Sequence, residues 1–257
     1  MRVISFNANG IRSAAKKGFF EWFLGQNADV LCIQETKAQE HQLDAATFHL
    51  EGYHRFYFDA EKRGYSGVAI YCKQKPDNIL RGLGWACPDT EGRYIEAQFG
   101  GLSIVSLYLP SGSSGEHRQV HKFEFMERYE KILAEQIQSG RDFIICGDWN
   151  IVHKEIDIKN FKSNQQTSGC LPEERAWLDK LLSQIGWVDA FRVLNQEPHQ
   201  YSWWSQRAGA RGKNVGWRID YQMVTPSLKP KISQVAIHKD PIFSDHAPVV
   251  VDYKIDT

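Results

Sequence analysis

No apolar run in the chain approaches the roughly 18 residues that would cross a bilayer. The opening stretch, MRVISFNANG, is too short in apolar residues for a secretion leader and runs directly into strand-like sequence. The five cysteines, Cys32, Cys72, Cys87, Cys146 and Cys170, are scattered, odd in number and without CxxC spacing. That pattern argues against a disulfide framework or a structural zinc site and for a reducing, cytoplasmic setting. Net charge is also absent, since 31 Lys and Arg balance 31 Asp and Glu. A chain that coats nucleic acid indiscriminately carries a basic surplus, so any polyanion handled here must meet a local basic face. There is no internal repeat, no low-complexity tract and no linker rich in Pro, Gly and Ser. The chain is therefore read as one domain, residues 1–257, with a monomer expected and no membrane partner.

What the chain does contain is a series of short apolar runs: RVISF, DVLCIQ, GVAIYC, LSIVSLYL, DFIIC, WRIDYQMV and APVVVDY. Their length and β-branched content suit strands buried on both faces, with Cys32 and Cys146 as core residues. Helical patterns lie between them. Val120, Phe123, Met126, Tyr129, Leu133 and Ile137 recur every three or four residues, which predicts an amphipathic helix with those residues inward. In LPEERAWLDKLLSQIG, Pro172, Glu173 and Glu174 open a helix and Gly186 supplies its stop. Strands mixed with helices point to an α/β (α+β) protein, with sheets packed face to face and helices outside.

Polar residues gather where these strands end. Asn7 and Asn9 follow the first run, Glu35 the second, and Tyr108 precedes a Pro-Gly turn. Asp148 and Asn150 end FIICGDWN, Asp220 lies within WRIDYQ, and Asp245 and His246 precede the last run. One Asp beside a turn is ordinary turn chemistry. A set on separate strands is not.

Glu35, with Asn7 or Asp245, offers hard oxygen ligands suited to Mg²⁺, or to Mn²⁺, rather than zinc. His246 paired with Asp220 would be held in its charged form, which stabilises charge gathering on a phosphorus centre. Asp148 is then free to orient or deprotonate a water that Asn150 helps to position. The chemistry is metal-assisted phosphodiester hydrolysis.

Between Glu197 and Asp220 no acidic residue occurs. That segment holds Arg207, Arg211, Lys213 and Arg218 with Trp203, Trp204 and Trp217, and Gly209, Gly212 and Gly216 make it a loop. Basic residues interleaved with aromatics suit a surface that tracks a nucleic-acid backbone, although Trp204 reads equally well as core.

At these residues the chain resembles the exonuclease III family of apurinic/apyrimidinic (AP) endonucleases. SFNANGIR, CIQETK, GYSGVAIY, EGRYI, LYLPSGS, CGDWNI, LPEER, NVGWRIDY and SDHAPVVV follow the family's order from about residue 2 to residue 253. The resemblance implies a four-layer αββα sandwich with the site at one edge. It implies Glu35 as the principal metal ligand, with Asn7 and Asp245 near the metal, and Tyr108 at the phosphate or leaving group. It also implies Asp148 and Asn150 at the attacking water and Asp220 with His246 at the phosphate. Trp203, Trp217 and Ile219 would wall an apolar pocket for a base-free deoxyribose. Such a pocket selects by shape, because flipping costs least where pairing is already lost.

Arg207 or Arg211 would fill the gap left in the duplex. Arg12, Lys62, Tyr65, Lys162 and Lys213 are further DNA-contact candidates, and Asn164 lies in a polar loop near the site in relatives. Small residues in that loop, Thr167 and Ser168, favour internal cleavage by leaving room for a continuing strand. The partner implied is duplex DNA with abasic sites or damaged 3′ ends. Two other readings share the fold: a non-catalytic RNA- or protein-binding regulator, and a lipid-headgroup hydrolase. A retired enzyme has no physical need of the full acidic set, and a lipid hydrolase should lack the GWRIDY pocket and basic loop.

Overall fold

The structure, a computed structural model, describes residues 1–255. Fourteen strands form among them: β1 (Arg2–Asn7), β2 (Val30–Gln34), β3 (His54–Phe58), β4 (Val68–Cys72), β5 (Asn78–Arg81), β6 (Tyr94–Phe99) and β7 (Leu102–Tyr108). β8 (Asp142–Asp148), β9 (Val188–Asp189), β10 (Trp203–Trp204), β11 (Gly216–Trp217), β12 (Asp220–Val224), β13 (Ile232–Ile237) and β14 (Val249–Tyr253) follow. The helices are α1 (Ile11–Lys16), α2 (Phe19–Gly25), α3 (Ala86–Thr90), α4 (Glu116–Gln138), α5 (Phe161–Asn164), α6 (Pro172–Lys180) and α7 (Ala190–Leu194). Two six-stranded sheets run β13-β14-β1-β2-β4-β3 and β5-β6-β7-β8-β12-β9, and β10 pairs with β11 in a small ribbon.

Side-chain alternation builds the layers. On β8, Ile144 and Cys146 face the other sheet, while Phe143 and Ile145 face the helices. Val3, Cys32, Ile70, Ile104, Ile144 and Val251 fill the space between the sheets. Ile4, Phe6 and Ile33 pack under α1 and α2, and Val105, Tyr129 and Trp177 pack on the far side. The order is helix, sheet, sheet, helix, as expected. Cys32, Cys72, Cys146 and Cys170 are buried and unpaired.

A few polar bonds cross the dry interior and fix one sheet against the other. Gln34 Nε2 donates to Ser106 Oγ at 3.0 Å, and Gln222 Nε2 donates to the carbonyls of Val3 and Val249 at 3.0 and 3.1 Å. An unsatisfied amide there would cost a full desolvation penalty, so these bonds restrict sliding between the sheets.

Helix α4 turns the expected face inward except near its start. Val120 is 51% exposed, whereas Lys122, Phe125, Met126, Tyr129 and Leu133 are buried. The apolar periodicity holds from Met126 onward. At the N-terminal turn a buried ammonium takes the inward position.

Candidate active site

Chain direction brings the polar residues to one edge. β1 runs parallel to β2, and β7 parallel to β8, so Asn7, Glu35, Tyr108 and Asp148 all follow or end strands on the same side. β14 is antiparallel to β1 and β12 antiparallel to β8, so their starting ends lie at that side too. That is where Asp245, His246 and Asp220 sit. Asp220 opens β12 opposite Asp148 rather than lying within a longer strand.

The turns there are conformationally costly. Glu35 has φ 50° and Asn150 φ 53°, a left-handed region uncommon outside glycine. Such residues cost of order 1–3 kcal/mol each and gather at functional sites. The surroundings hold Asn150 from three directions. Its backbone N–H donates to Asp148 Oδ1 at 2.9 Å, its side chain donates to the Leu109 carbonyl at 2.8 Å, and its own carbonyl accepts from Lys122 Nζ at 2.8 Å.

Asp148 is 2% exposed, and its Oδ2 accepts from Asn7 Nδ2 at 2.8 Å. His246 Nε2 stands 3.8 Å from the same oxygen. On its other side His246 Nδ1 donates to Asp220 Oδ2 at 2.9 Å, which also accepts from Ser202 Oγ at 2.6 Å. Burial drives the Asp148 carboxyl up, to about 7, with Asp220 and Glu35 adding to the rise and His246 opposing it. Burial alone would lower the imidazole, but Asp220 and Asp148 overcome it and lift His246 to about 10. A charged imidazole thus sits beside a carboxyl that titrates near neutrality, the range suited to a general base.

Glu35 lies at the mouth of this centre, 3.5 Å from Lys37 Nζ. Burial together with the nearby Glu35 pushes the Tyr108 phenol well above its usual range, so it stays protonated. Burial acts to raise Asp245, but His246, Asn9, Trp203 and Ser244 outweigh it and hold this carboxyl below its ordinary value. Asp148, Asp220 and His246 have ligand atoms within 4.8 Å of one another, a set able to hold a metal ion. Its imidazole, however, is bonded to Asp220 and charged, which directs that cluster toward proton chemistry. Glu35, Asp148, Asp220 and Asp245 together outnumber the cations His246 and Lys37. An oxygen-rich site with that surplus fits a hard divalent ion.

The apolar trio is brought together beside the acidic centre. Trp203 and Trp217 pair across β10 and β11 with ring centroids 5.9 Å apart and planes at 90°. Both pack with the 6% exposed Ile219 and with Val152, Ile158 and Cys170. Trp203 Nε1 donates to Asp245 Oδ2 at 3.1 Å, and its ring centroid lies 6.4 Å from that of His246. Trp204, by contrast, is core, 1% exposed.

Two arginines of the basic loop bond to the protein itself, and the buried one, Arg218, corrects an expectation. Arg218 is fully buried, donating to Asp157 Oδ1 and Asp189 Oδ2 at 2.7 Å each and lying over Tyr221. It cannot line a DNA surface. Its cationic head anchors the backbone between Trp217 and Ile219. Arg211 donates to the carbonyls of Ser244 and Lys239 and stacks 4.4 Å above Trp204, so it fastens the loop to the segment that carries Asp245. Arg207 and Lys213 are exposed, as are Arg12, Lys62 and Lys162. Tyr65 is half-buried, its hydroxyl accepting from Arg93 and Arg118, and Asn164 closes its own helix by donating to the Asn160 carbonyl.

The Arg218 network carries a pH prediction. Burial would raise the Asp157 carboxyl, but Arg218 and Arg192 outweigh it and lower the pKa from 3.8 to about 2. A depressed folded-state value stabilises the fold above pH 3.8, and that stabilisation disappears as pH falls through about 2. Its size is about 2 kcal/mol. In urea unfolding, the stability gap between wild type and Asp157→Asn should shrink by about that amount between neutrality and the acid limit. A gap constant with pH would contradict it.

Lys122, Glu174 and Ser202 were not legible as site residues. Lys122 lies one turn before Met126 on the inward face of α4, where a lysine reads as a surface residue, and Glu174 reads as a helix-opening acid. Both are completely buried behind Asn150.

Comparison with known proteins gives the family. Residues 4–246 match the endonuclease/exonuclease/phosphatase family. An exodeoxyribonuclease of Bacillus subtilis (strain 168) is 39% identical over 251 residues, covering 97% of this chain and 98% of that protein. A DNA repair nuclease of Danio rerio is 36% identical over 254 residues, covering 98% of this chain and 81% of that one. Among solved structures, an AP endonuclease from Archaeoglobus fulgidus superposes with a TM-score of 0.89 at 27% identity, covering 99% of this chain and 100% of that one. The chain belongs to the endonuclease/exonuclease/phosphatase family, with its likeness running to exodeoxyribonucleases and AP endonucleases.

Proposed function

We propose that the chain is a Mg²⁺-dependent DNA-repair phosphodiesterase that cuts duplex DNA on the 5′ side of abasic sites. The same centre removes nucleotides or blocking groups from 3′ ends. It works as a single-domain monomer in the cytoplasm, and Mn²⁺ can replace Mg²⁺. The observation that carries this reading is the contact between the apolar trio and the acidic centre: Trp203 touches both Asp245 and His246. A base-free sugar seated against Trp203, Trp217 and Ile219 would present its 5′ phosphate to Asp148 and His246.

Glu35, with Asn7 and Asp245, would hold the metal ion, which when bound polarises a phosphate oxygen as a Lewis acid. The protein's own groups supply the rest. Asp148 takes a proton from the attacking water that Asn150 orients, and Asn7 fixes the Asp148 carboxylate from behind. The charged His246, held by Asp220, faces the phosphate and stabilises charge gathering there. Tyr108, kept protonated, donates toward the phosphate or leaving oxygen. Arg12, Lys62, Tyr65, Lys162, Asn164, Arg207 and Lys213 line the approach as contacts to the DNA backbone.

The test is a duplex with one internal tetrahydrofuran abasic analogue, labelled at both ends of the damaged strand and incubated with Mg²⁺ or with EDTA. A nick on the 5′ side that EDTA abolishes is expected. Loss of nucleotides from 3′ ends without that nick would restrict the function to end processing, and cleavage undiminished by EDTA would remove the metal from the account.

A further inference from the structure

Behind the catalytic turn lies an ion pair that the chemistry above does not use. Lys122 Nζ and Glu174 Oε1 are 2.6 Å apart, and both side chains are completely buried. Each partner also holds a backbone group near the site. Lys122 donates to the carbonyl of Asn150 at 2.8 Å. Glu174 Oε2 accepts the N–H of Gly169 at 2.6 Å and that of Leu171 at 3.1 Å, and Gln119 donates to Oε1 at 3.0 Å.

Those backbone groups belong to two walls of one site. Asn150 sits in its strained turn two residues after Asp148. Gly169 has φ 91°, and a Cβ there would stand 2.9 Å from the Asn150 carbonyl oxygen and 3.1 Å from the Trp217 ring. The turn at Asn150, the loop that carries Gly169 and the Trp217 ring of the apolar trio therefore meet at this glycine. Val152 closes the arrangement by donating to the Gly169 carbonyl at 2.8 Å.

We propose that Lys122 and Glu174 are a positioning pair that sets the catalytic turn at Asn150 and the loop against Trp217 in one fixed relation. This inference rests on the reading of the site given above. The physical reason is that a buried ion pair is weak evidence for stability, since a well-packed apolar pair of the same volume often serves as well. An apolar pair could not, however, hold the Asn150 carbonyl and the two amides. Sequence did not single these residues out because one reads as a misplaced polar residue on a helix and the other as a capping acid.

The discriminating variants are Lys122→Met and the double replacement Lys122→Met with Glu174→Gln. The single change strands a buried carboxylate and should lower Tm. The double change removes both charges, keeps an acceptor for Gly169 and Leu171, and should restore most of the lost Tm. Its kcat on the tetrahydrofuran duplex should nevertheless stay at least ~10-fold below wild type, because a small misplacement of reacting groups is costly. KM should move less than about twofold, the split expected for lost positioning rather than lost binding. Recovery of wild-type kcat together with Tm would overturn the proposal and leave the pair a structural one.

A second measurement needs neither variants nor substrate. In the wild-type chain, the amides of Gly169 and Leu171 should exchange with solvent at least ~100-fold more slowly than in an unstructured peptide. Unprotected amides would overturn the brace. If the wild-type chain leaves abasic DNA uncut, the functional reading falls, while the exchange data still decide the brace.

Discussion

Asp148→Asn is expected to lower kcat for abasic-site cleavage by roughly 10²–10⁴-fold, the range that a positioned general base supplies. That is about 3–5 kcal/mol of barrier. Most contacts survive. Asn retains an oxygen for the Asn150 N–H and His246 remains paired with Asp220, while the new amide nitrogen meets the Asn7 donor that Asp148 Oδ2 accepted. Burial lifts the Asp148 carboxyl from 3.8 to about 7, so above that pH its ionised form opposes folding. The replacement removes this cost, which offsets the lost Asn7 bond, and Tm at pH 8 should stay close to that of wild type. A large drop in rate with an intact Tm assigns Asp148 to the chemistry. Cleavage within a few-fold of wild type would strip it of that role, and a parallel fall in Tm would make the loss structural.

The second large effect is on stability. Arg218→Met should cost about 3–5 kcal/mol, because it leaves Asp189 without its cation and Asp157 with Arg192 alone. For a chain of this size that is a fall in Tm of about 10 °C. The consequence reaches the site through the backbone, since Arg218 is flanked by Trp217 and Ile219. Below the new Tm, KM for abasic duplex should rise more than kcat falls if, as proposed, the apolar trio seats the sugar while Asp148 and His246 do the chemistry. Kinetics and a thermal melt on the same preparation check both parts. A Tm within about 2 °C of wild type would show that the buried network carries little of the fold.

These two residues also show what sequence can and cannot say. Asp148 was legible because an apolar strand ending in a carboxylate is physically conspicuous, and strand direction then brings Glu35, Asp220 and His246 to the same edge. The layered sandwich was legible for the same reason: its central strands are apolar on both faces. β3 (His54–Phe58), β5 (Asn78–Arg81) and β13 (Ile232–Ile237) lie at or near sheet edges, carry half-exposed residues and gave no such signal.

Arg218 misled because charge and a glycine-rich setting look alike whether the side chain points out or in. Only the approach of Asp157 and Asp189, 61 and 29 residues away in sequence, turns it inward. Lys122 and Glu174 were hidden by the same non-local pairing, 52 residues apart. Val120, near the start of the same helix as Lys122, stands exposed. Asn7 is expected near the metal, and the structure adds a role invisible in the sequence, the hydrogen bond its Nδ2 donates to Asp148 from the opposite sheet.

On the proposed reading, the apolar trio at the edge of the acidic centre selects for a missing base. Single-turnover cleavage of two duplexes tests it, identical except that one carries a tetrahydrofuran residue where the other has an ordinary nucleotide, with 3′ ends blocked. The account predicts one Mg²⁺-dependent cut immediately 5′ to the tetrahydrofuran, at least ~100-fold faster than any cut at the intact position, since flipping and seating favour the unpaired sugar. Equal rates at the two positions would contradict it and leave the acidic centre without a selector.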